Sequence, residues 1–534
     1  MTLRAPADVA GADGIAREAA RRRTFAIISH PDAGKTTLTE KLLLYGGAVA
    51  EAGSVKARRG RRASRSDWME LERRRGISVS STALRFEHAG TVLNLLDTPG
   101  HRDFSEDTLR VLAAADAGVI LLDAARGVEA QTLQLFQVAR ARGIPLLTFV
   151  NKYDRPGMEP LEMLDHLEAT LGLTGVPLSW PVGRPGEFRG VIDRASGAFH
   201  RFARTAGGAT IAPEEVIETA AVDSGDAAWV AAQEELALLD AVGATPDAKG
   251  PMTGDRTPLF FGSALSNFGV GLLLRALVER APAPAAVRDV DGVPRPLDAP
   301  FSALVFKVQA NMDPRHRDRL AFLRVCSGRF ERGMQATNAR TGRTVALSYA
   351  HELFAQERSV VDVAFPGDVV GIVNAADVIV GDTLYVQPRV RYPAIATLAP
   401  EHFVSVHNRD PARRKQFVHG LAQLDQEGVV HLLRRRGSTD PVPILGAIGP
   451  LQLEVAVERL LAEFGVRVRL EQAPWTVARR TDPAGADVVV AARSGDVLER
   501  ADGALLAAFP TRFALEFFQR DHPDVELDAL LPAG

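Results

Sequence analysis

The chain has 534 residues, 46% hydrophobic and 24% charged, with a net charge of −3. That balance describes a folded globular protein of roughly three or four domains at ~150 residues each, and it excludes a disordered or fibrous chain. Any nucleic acid must be met by local basic patches, and a single cysteine, Cys326, excludes an internal disulfide framework and fits a reducing cytosol.

The N-terminal stretch MTLRAPADVAGADGIAREAARRR has no apolar core of the secretory type, and residues 1–20 read as an extension. No apolar run approaches ~18 residues, so no membrane span is expected and the chain reads as cytoplasmic. From there to about residue 282 the pattern alternates strand and helix. The run TFAII precedes a loop, and KTTLTEKLLLYG follows with helical spacing and a stop at Gly46–Gly47. TVLNLLDTPG, GVILLDAARG, PLLTFVNKYD and TPLFFGSAL are apolar runs that end in polar or glycine residues. Such alternation predicts an α/β domain with a mostly parallel sheet, its ligands beyond the carboxyl ends of the strands. Residues 283–299 are proline-rich and read as a linker. Over 300–392, runs such as FSALVFKVQ, RLAFLRVCSGRF and VVDVAFPGDVVGIV carry turns about every ten residues, which predicts an antiparallel β-barrel. Over 393–534, amphipathic helices in DPARRKQFVHGLAQLDQE and GPLQLEVAVERLLAEFG, with strand-like VRVRLEQ, predict one or two C-terminal α+β modules.

The chemistry concentrates in the first domain. Ser29, His30, Pro31, Asp32, Ala33, Gly34, Lys35 and Thr36 follow the phosphate-loop pattern G-x-x-x-x-G-K-[ST] with serine in the first place. In such a loop, backbone N–H groups cradle phosphate, Lys35 reaches the β/γ oxygens and the Thr36 hydroxyl binds Mg²⁺. A small serine can take the strand-to-loop turn, with its hydroxyl on neighbouring backbone. Asp97, Thr98, Pro99, Gly100 and His101 form the second motif. Asp97 ends a strand and supports the metal, Gly100 offers an N–H to the γ-phosphate, and His101 orients a water. The third is Asn151, Lys152, Tyr153 and Asp154. Asp154 accepts the two guanine donors that adenine lacks, and Asn151 bonds the carbonyl or N7 side. Ser263, Ala264 and Leu265 end the last strand, with the Ala264 N–H offered to the guanine carbonyl. Ser78 is the candidate second hydroxyl ligand of Mg²⁺. The arginine-rich run from Lys56 to Arg75 reads as a solvated loop or as a mobile switch touching RNA phosphates. Arg413, Arg414, Lys415 and Arg434 to Arg436 pose the same choice at a second surface.

Taken together, the Ser29–Thr36 loop, SDWMELE, RRGIS, DTPGHRDFSED, NKYD, GSALSNFGV, FKVQANMDPRHRDRLAFLRVCSG and GAIGPLQLEVAVERL closely resemble the bacterial release factor 3 family of translational GTPases. The likeness runs from about residue 20 to the end. It implies a P-loop GTPase domain, a β-barrel second domain and a third domain of α+β type. It also implies a ribosome-stimulated enzyme that hydrolyses GTP and drives class I release factors off the ribosome after peptide release. Its cofactors would be GTP or GDP with Mg²⁺. Its partners would be rRNA, ribosomal proteins and class I release factors, with no DNA or membrane, and it would be a monomer off the ribosome. Thr36, Ser78 and Asp97 would hold the metal, and His101 would act in catalysis.

Three other readings compete. An elongation-factor-G-like or ribosomal-protection GTPase needs further domains after the third, for which 534 residues leave little room. A nucleotide-switched ribosome-binding protein with little hydrolysis has no use for His101. A P-loop kinase or ATPase predicts no guanine-reading NKYD.

Overall fold

The computed structural model describes residues 11–48, 81–99, 101–203, 210–244, 255–310, 319–354, 357–373, 377–438 and 442–532. Ser78, Gly100 and the run from Lys56 to Arg75 lie outside the described residues, as do 311–318 of the QANMDP stretch.

The first domain is built on a seven-stranded sheet. In spatial order its strands are Thr82–His88, Thr91–Asp97, Arg22–Ser29, Ala117–Asp123, Leu146–Asn151, Arg256–Phe261 and Thr174–Pro177. All pairings are parallel except the first, a hairpin turned at Ala89 and Gly90, both with positive φ. Two left-handed residues match the twist of a two-residue hairpin. The central strands are buried along nearly their whole length, which is why they read as unbroken apolar runs rather than alternating ones. Helices Lys35–Tyr45, Ser105–Leu112, Ala130–Ala141, Pro160–Leu171 and Val270–Arg280 cover the sheet. The phosphate-loop helix stops at Gly46, as its spacing predicts.

One element departs from simple alternation. Between the sixth and last chain segments of the sheet, four short strands form a separate antiparallel sheet: Ser179–Val182, Gly190–Asp193, Phe199–Phe202 and Glu214–Ile217. Its turns use Gly183, Gly186 and Gly197, all at positive φ, so each apolar run is too short to be a core strand. The fully buried Trp180 donates its indole N–H to Glu235 (2.8 Å), which pins the Ala227–Ala241 helix to this insert.

The proline-rich stretch before residue 300 is extended, but it is anchored. Arg295 is buried and donates Nε–H to Ser327 Oγ (2.9 Å) and an Nη2–H to the Pro300 carbonyl (2.9 Å). Beyond it, an eight-stranded antiparallel sheet and a two-stranded ribbon make the barrel module. The C-terminal module is a seven-stranded sheet carrying two helix pairs. Arg414–Glu427 and Pro450–Phe464 pack on the half that contains His402–Asn408 and Ile444–Ala447. Pro483–Ala492 and Arg512–Asp521 pack on the half that contains Asp496–Arg500 and Leu505–Phe509. Two α+β halves therefore share one sheet.

Candidate nucleotide site

Ser29 is the last residue of its strand, buried and paired with Leu121. The chain turns later: the positive φ values in this loop belong to Asp32 and Gly34. No left-handed backbone is required at position 29, so serine is tolerated where the general motif has glycine. Its hydroxyl, expected to bond neighbouring backbone, is buried with no hydrogen-bond partner among the described residues. Next to it His30 is buried, both ring nitrogens unbonded among the described residues, and Nε2 lies 3.9 Å from Glu129. Burial lowers the His30 pKa against the pull of Glu129 and Asp123, so the ring is neutral at neutral pH.

Gly34 caps the Lys35–Tyr45 helix, and no side chain accepts from the first-turn N–H groups. Those donors and the positive end of the helix dipole face the loop, the standard physical basis of phosphate binding. Lys35 is buried, with Nζ 3.5 Å from Thr98 Oγ1 and 3.9 Å from Asp97 Oδ1. Burial lowers its pKa, opposed by Asp97 and Asp107. A buried ammonium whose contacts among the described residues are long is suited to a ligand that brings its own negative charge. Thr98 is fixed by donation from Oγ1 to the Ile27 carbonyl (2.8 Å), which holds the end of the Asp97 strand against the phosphate-loop strand.

Asn151 joins the three loops. Its Nδ2 donates to the Ala33 carbonyl (2.7 Å), and its Oδ1 accepts the Ala264 N–H (2.8 Å). The Ala264 N–H, expected to face guanine, is thus directed at Asn151. The approach is so close that a Cβ on Gly34 would stand 2.3 Å from Asn151 Nδ2; this is the contact that demands glycine. Three residues on, Asp154 Oδ1 is buried with no hydrogen-bond partner among the described residues. A buried carboxylate oxygen left unbonded is costly unless a ligand supplies donors, and guanine supplies two.

Lys152, at positive φ, donates to Asp123 Oδ2 (2.7 Å). Burial works against the Asp123 carboxylate, but Lys152 and the Ala125 N–H outweigh it and hold its pKa below the ordinary range. Tyr153 turns away from the loop. Its ring is fully buried, edge-on to Phe188 and Phe261 with centroids 5.3 Å apart in each case, so its side chain serves the core and not a nucleotide. Ser263 Oγ accepts the Ser266 N–H (3.2 Å) and shapes the last loop, from which Leu265 projects half exposed. Pro31 and Thr36 are partly exposed and Asp32 exposed along the open side of the loop.

His101 is partly exposed, and its Nδ1 accepts the Asp103 N–H at 3.2 Å. Asp103, Asp123 and Arg110 were missed in the sequence. The signal for Asp103 was its place two residues beyond the histidine. Among the described residues, Arg435 pairs with Asp496 and Arg436 with Asp487 (3.1 Å). Those two cations are therefore largely satisfied within their own module, whereas Arg414 and Lys415 are exposed.

Residues 20–283 match the elongation factor Tu GTP-binding domain, 300–387 elongation factor G domain 2, and 392–519 the C-terminal domain of the class II release factor RF3. The chain is 46% identical over 520 residues to a protein of Microcystis aeruginosa named peptide chain release factor 3, covering 96% of each. It is 50% identical over 469 residues to a protein of the same name from Gloeobacter violaceus, covering 87% of this chain and 88% of that one. A crystal structure from Thermus thermophilus superposes with a TM-score of 0.67 at 26% identity, covering 86% of this chain and 68% of the other.

Proposed function

The chain belongs to the peptide chain release factor 3 family, and from that premise we propose a ribosome-dependent GTPase of translation termination. It binds the ribosome after peptide release, promotes departure of class I release factors, and hydrolyses GTP to GDP and phosphate. The observation that carries the guanine site is the Asn151 staple across three loops, with the unbonded Asp154 Oδ1 beside it.

Lys35 and the first-turn N–H groups hold the phosphates, and Asp154 accepts from the guanine ring. The Thr36 hydroxyl and Asp97 would hold Mg²⁺, with Ser78 as a further ligand; this donor set of hydroxyl and carboxylate oxygens suits a hard cation. Bound there, the ion would supply neutralisation of phosphate charge. Gly100 offers its N–H to the γ-phosphate, and His101 orients the attacking water. rRNA and ribosomal proteins are the partners, in a cytoplasmic monomer with no DNA or membrane partner. Among the described residues no helix is long and apolar enough to cross a membrane.

The test adds the protein and GTP to post-release ribosomes carrying a labelled class I release factor. The factor is expected to leave faster. In the same assay His101→Ala should retain nucleotide binding and lose ribosome-stimulated hydrolysis by roughly two orders of magnitude or more, the scale of losing a general acid–base group. A factor that leaves no faster defeats the release reading, and unchanged turnover in the variant defeats the role of His101.

A further inference from the structure

Asp103 touches two things at once. Its Oδ1 lies 3.4 Å from His101 Nδ1. Its Oδ2 accepts the Leu451 N–H at 2.8 Å, on the first turn of the Pro450–Phe464 helix of the C-terminal module. The carboxylate is buried, and the end of a 15-residue helix favours its negative charge. The seat is shaped for it. Gln452 Oε1 takes the Ile448 and Gly449 N–H groups (2.7 and 3.4 Å), so the helix caps itself there and leaves the Leu451 N–H to Asp103. Position 449 must also be glycine, because a Cβ would stand 2.0 Å from Asp103 Cγ. Phe104, Leu451 and Val455 close over the contact as a small apolar cluster.

One hydrogen bond bears on the histidine tautomer. With Nδ1 accepting the Asp103 N–H (3.2 Å), a ring carrying a single proton holds it on Nε2. A carboxylate that orients a catalytic imidazole needs the reverse: it accepts Nδ1–H and leaves Nε2 as an acceptor. We propose that Asp103 is a positioning residue for His101 and that the C-terminal helix competes for its carboxylate. Docked, the helix holds Asp103 and the ring rests with Nε2 protonated. When the helix withdraws, Asp103 accepts Nδ1–H, the ring exchanges its proton through solvent, and Nε2 becomes free to accept from the attacking water. This rests on the assignment of His101 to that water.

Two substitutions read the competition from opposite sides. Gly449→Ala fills the seat and should raise ribosome-free GTP hydrolysis severalfold, with GTP affinity unchanged. Asp103→Asn keeps the shape and loses the charge. Its ribosome-stimulated kcat should fall roughly tenfold, the scale of removing a group that orients a catalytic imidazole, at unchanged KM for ribosomes. In the double variant the gain from Gly449→Ala should vanish. A merely structural contact predicts no kcat change in Asp103→Asn, or a gain that persists in the double variant, and either result overturns the proposal. Should Gly449→Ala fail to fold, the kcat of Asp103→Asn still decides. His101→Ala run alongside separates the two failures: if it keeps stimulated turnover, the histidine reading falls, and if it loses turnover while Asp103→Asn does not, only this inference falls.

Discussion

The GTPase domain meets its two neighbours in different ways. Towards the barrel it shares one apolar core: Phe25, Leu84 and Phe86 belong to the same buried cluster as Phe306, Phe322 and Ile372. Buried ionic contacts line that seam. Arg324 pairs with both oxygens of Asp116 (2.7 and 2.8 Å) and donates to the Ala114 carbonyl. Arg22 pairs with Asp368 (2.8 Å), and Thr24 Oγ1 donates to the Gly367 carbonyl (2.7 Å). Towards the C-terminal module, among the described residues, the shared buried cluster is Phe104 packed on Leu451 and Val455, while that module keeps separate cores of its own. The polar contacts there, among the described residues, include Asp103 on a helix end, Arg110 on the Glu427 carbonyl (2.8 Å), and Glu106 3.6 Å from His431. A seam with a common core must unfold to open, whereas one with private cores on each side can part and re-form. The first fixes the barrel to the sheet; the second leaves the histidine within reach of a movable element.

The strongest way to break this comparison is at Arg324. Burial opposes its charge, yet the Asp116 carboxylate more than offsets that and holds the guanidinium above its ordinary pKa. Burial pushes the Asp116 carboxyl upward, against the pull of Arg324 and Arg23. With both of its oxygens on Arg324, the ionised pair is the resting state. Arg324→Ala strands a buried carboxylate and should cost about 3–5 kcal/mol in denaturant unfolding, in one transition that includes both domains. Arg324→Met with Asp116→Leu should recover most of the loss. Separate transitions for domain and barrel would show that the shared core does not couple them.

A smaller effect is expected at Arg110. Arg110→Ala removes one charge-assisted bond to the Glu427 carbonyl and the partner of Glu106 (2.9 Å), worth about 2 kcal/mol. The loss should appear as faster hydrogen exchange in 105–112 and 425–431, with the unfolding of the GTPase domain and barrel unmoved. If the barrel transition shifts as well, the two seams are not independent.

The nucleotide loops were legible because each packs its chemistry into a few consecutive residues at a strand end, where periodicity and motif coincide. Serine fits the motif's first place because that residue ends the strand, and the turn that needs left-handed backbone comes at Asp32 and Gly34. Tyr153 sits inside a motif, but a large aromatic ring obeys burial before motif. The seams were not legible: Arg324 meets Asp116 from 208 residues away and Leu451 meets Asp103 from 348. No local period encodes such pairs, and the charges involved look like surface residues until the fold buries them. The antiparallel insert carried a readable signal in its glycine turns, masked by the strong strand–helix rhythm on either side.

The finest test is a titration. Asp107 lies on the helix that follows His101 but faces the barrel, with Oδ2 accepting the Ser81 N–H (2.7 Å) and lying 3.7 Å from Lys307 Nζ. Burial disfavours its charge, and Lys307, Arg110 and the Ser81 bonds outweigh that, so its folded pKa is below the ordinary value. A carboxyl depressed in the folded state adds stability above its unfolded pKa of about 3.9 and loses it as pH falls through the folded value. Asp107→Asn keeps an oxygen for the Ser81 N–H and loses only the charge. The melting temperatures of wild type and variant should therefore differ modestly at neutral pH and converge as pH falls below about 4. A gap that persists in acid would mean that Asp107 contributes by shape alone. The barrel seam would then owe its strength to the apolar core and the Arg324 pair, and the helix between the two seams would be held on the barrel side by packing rather than by charge.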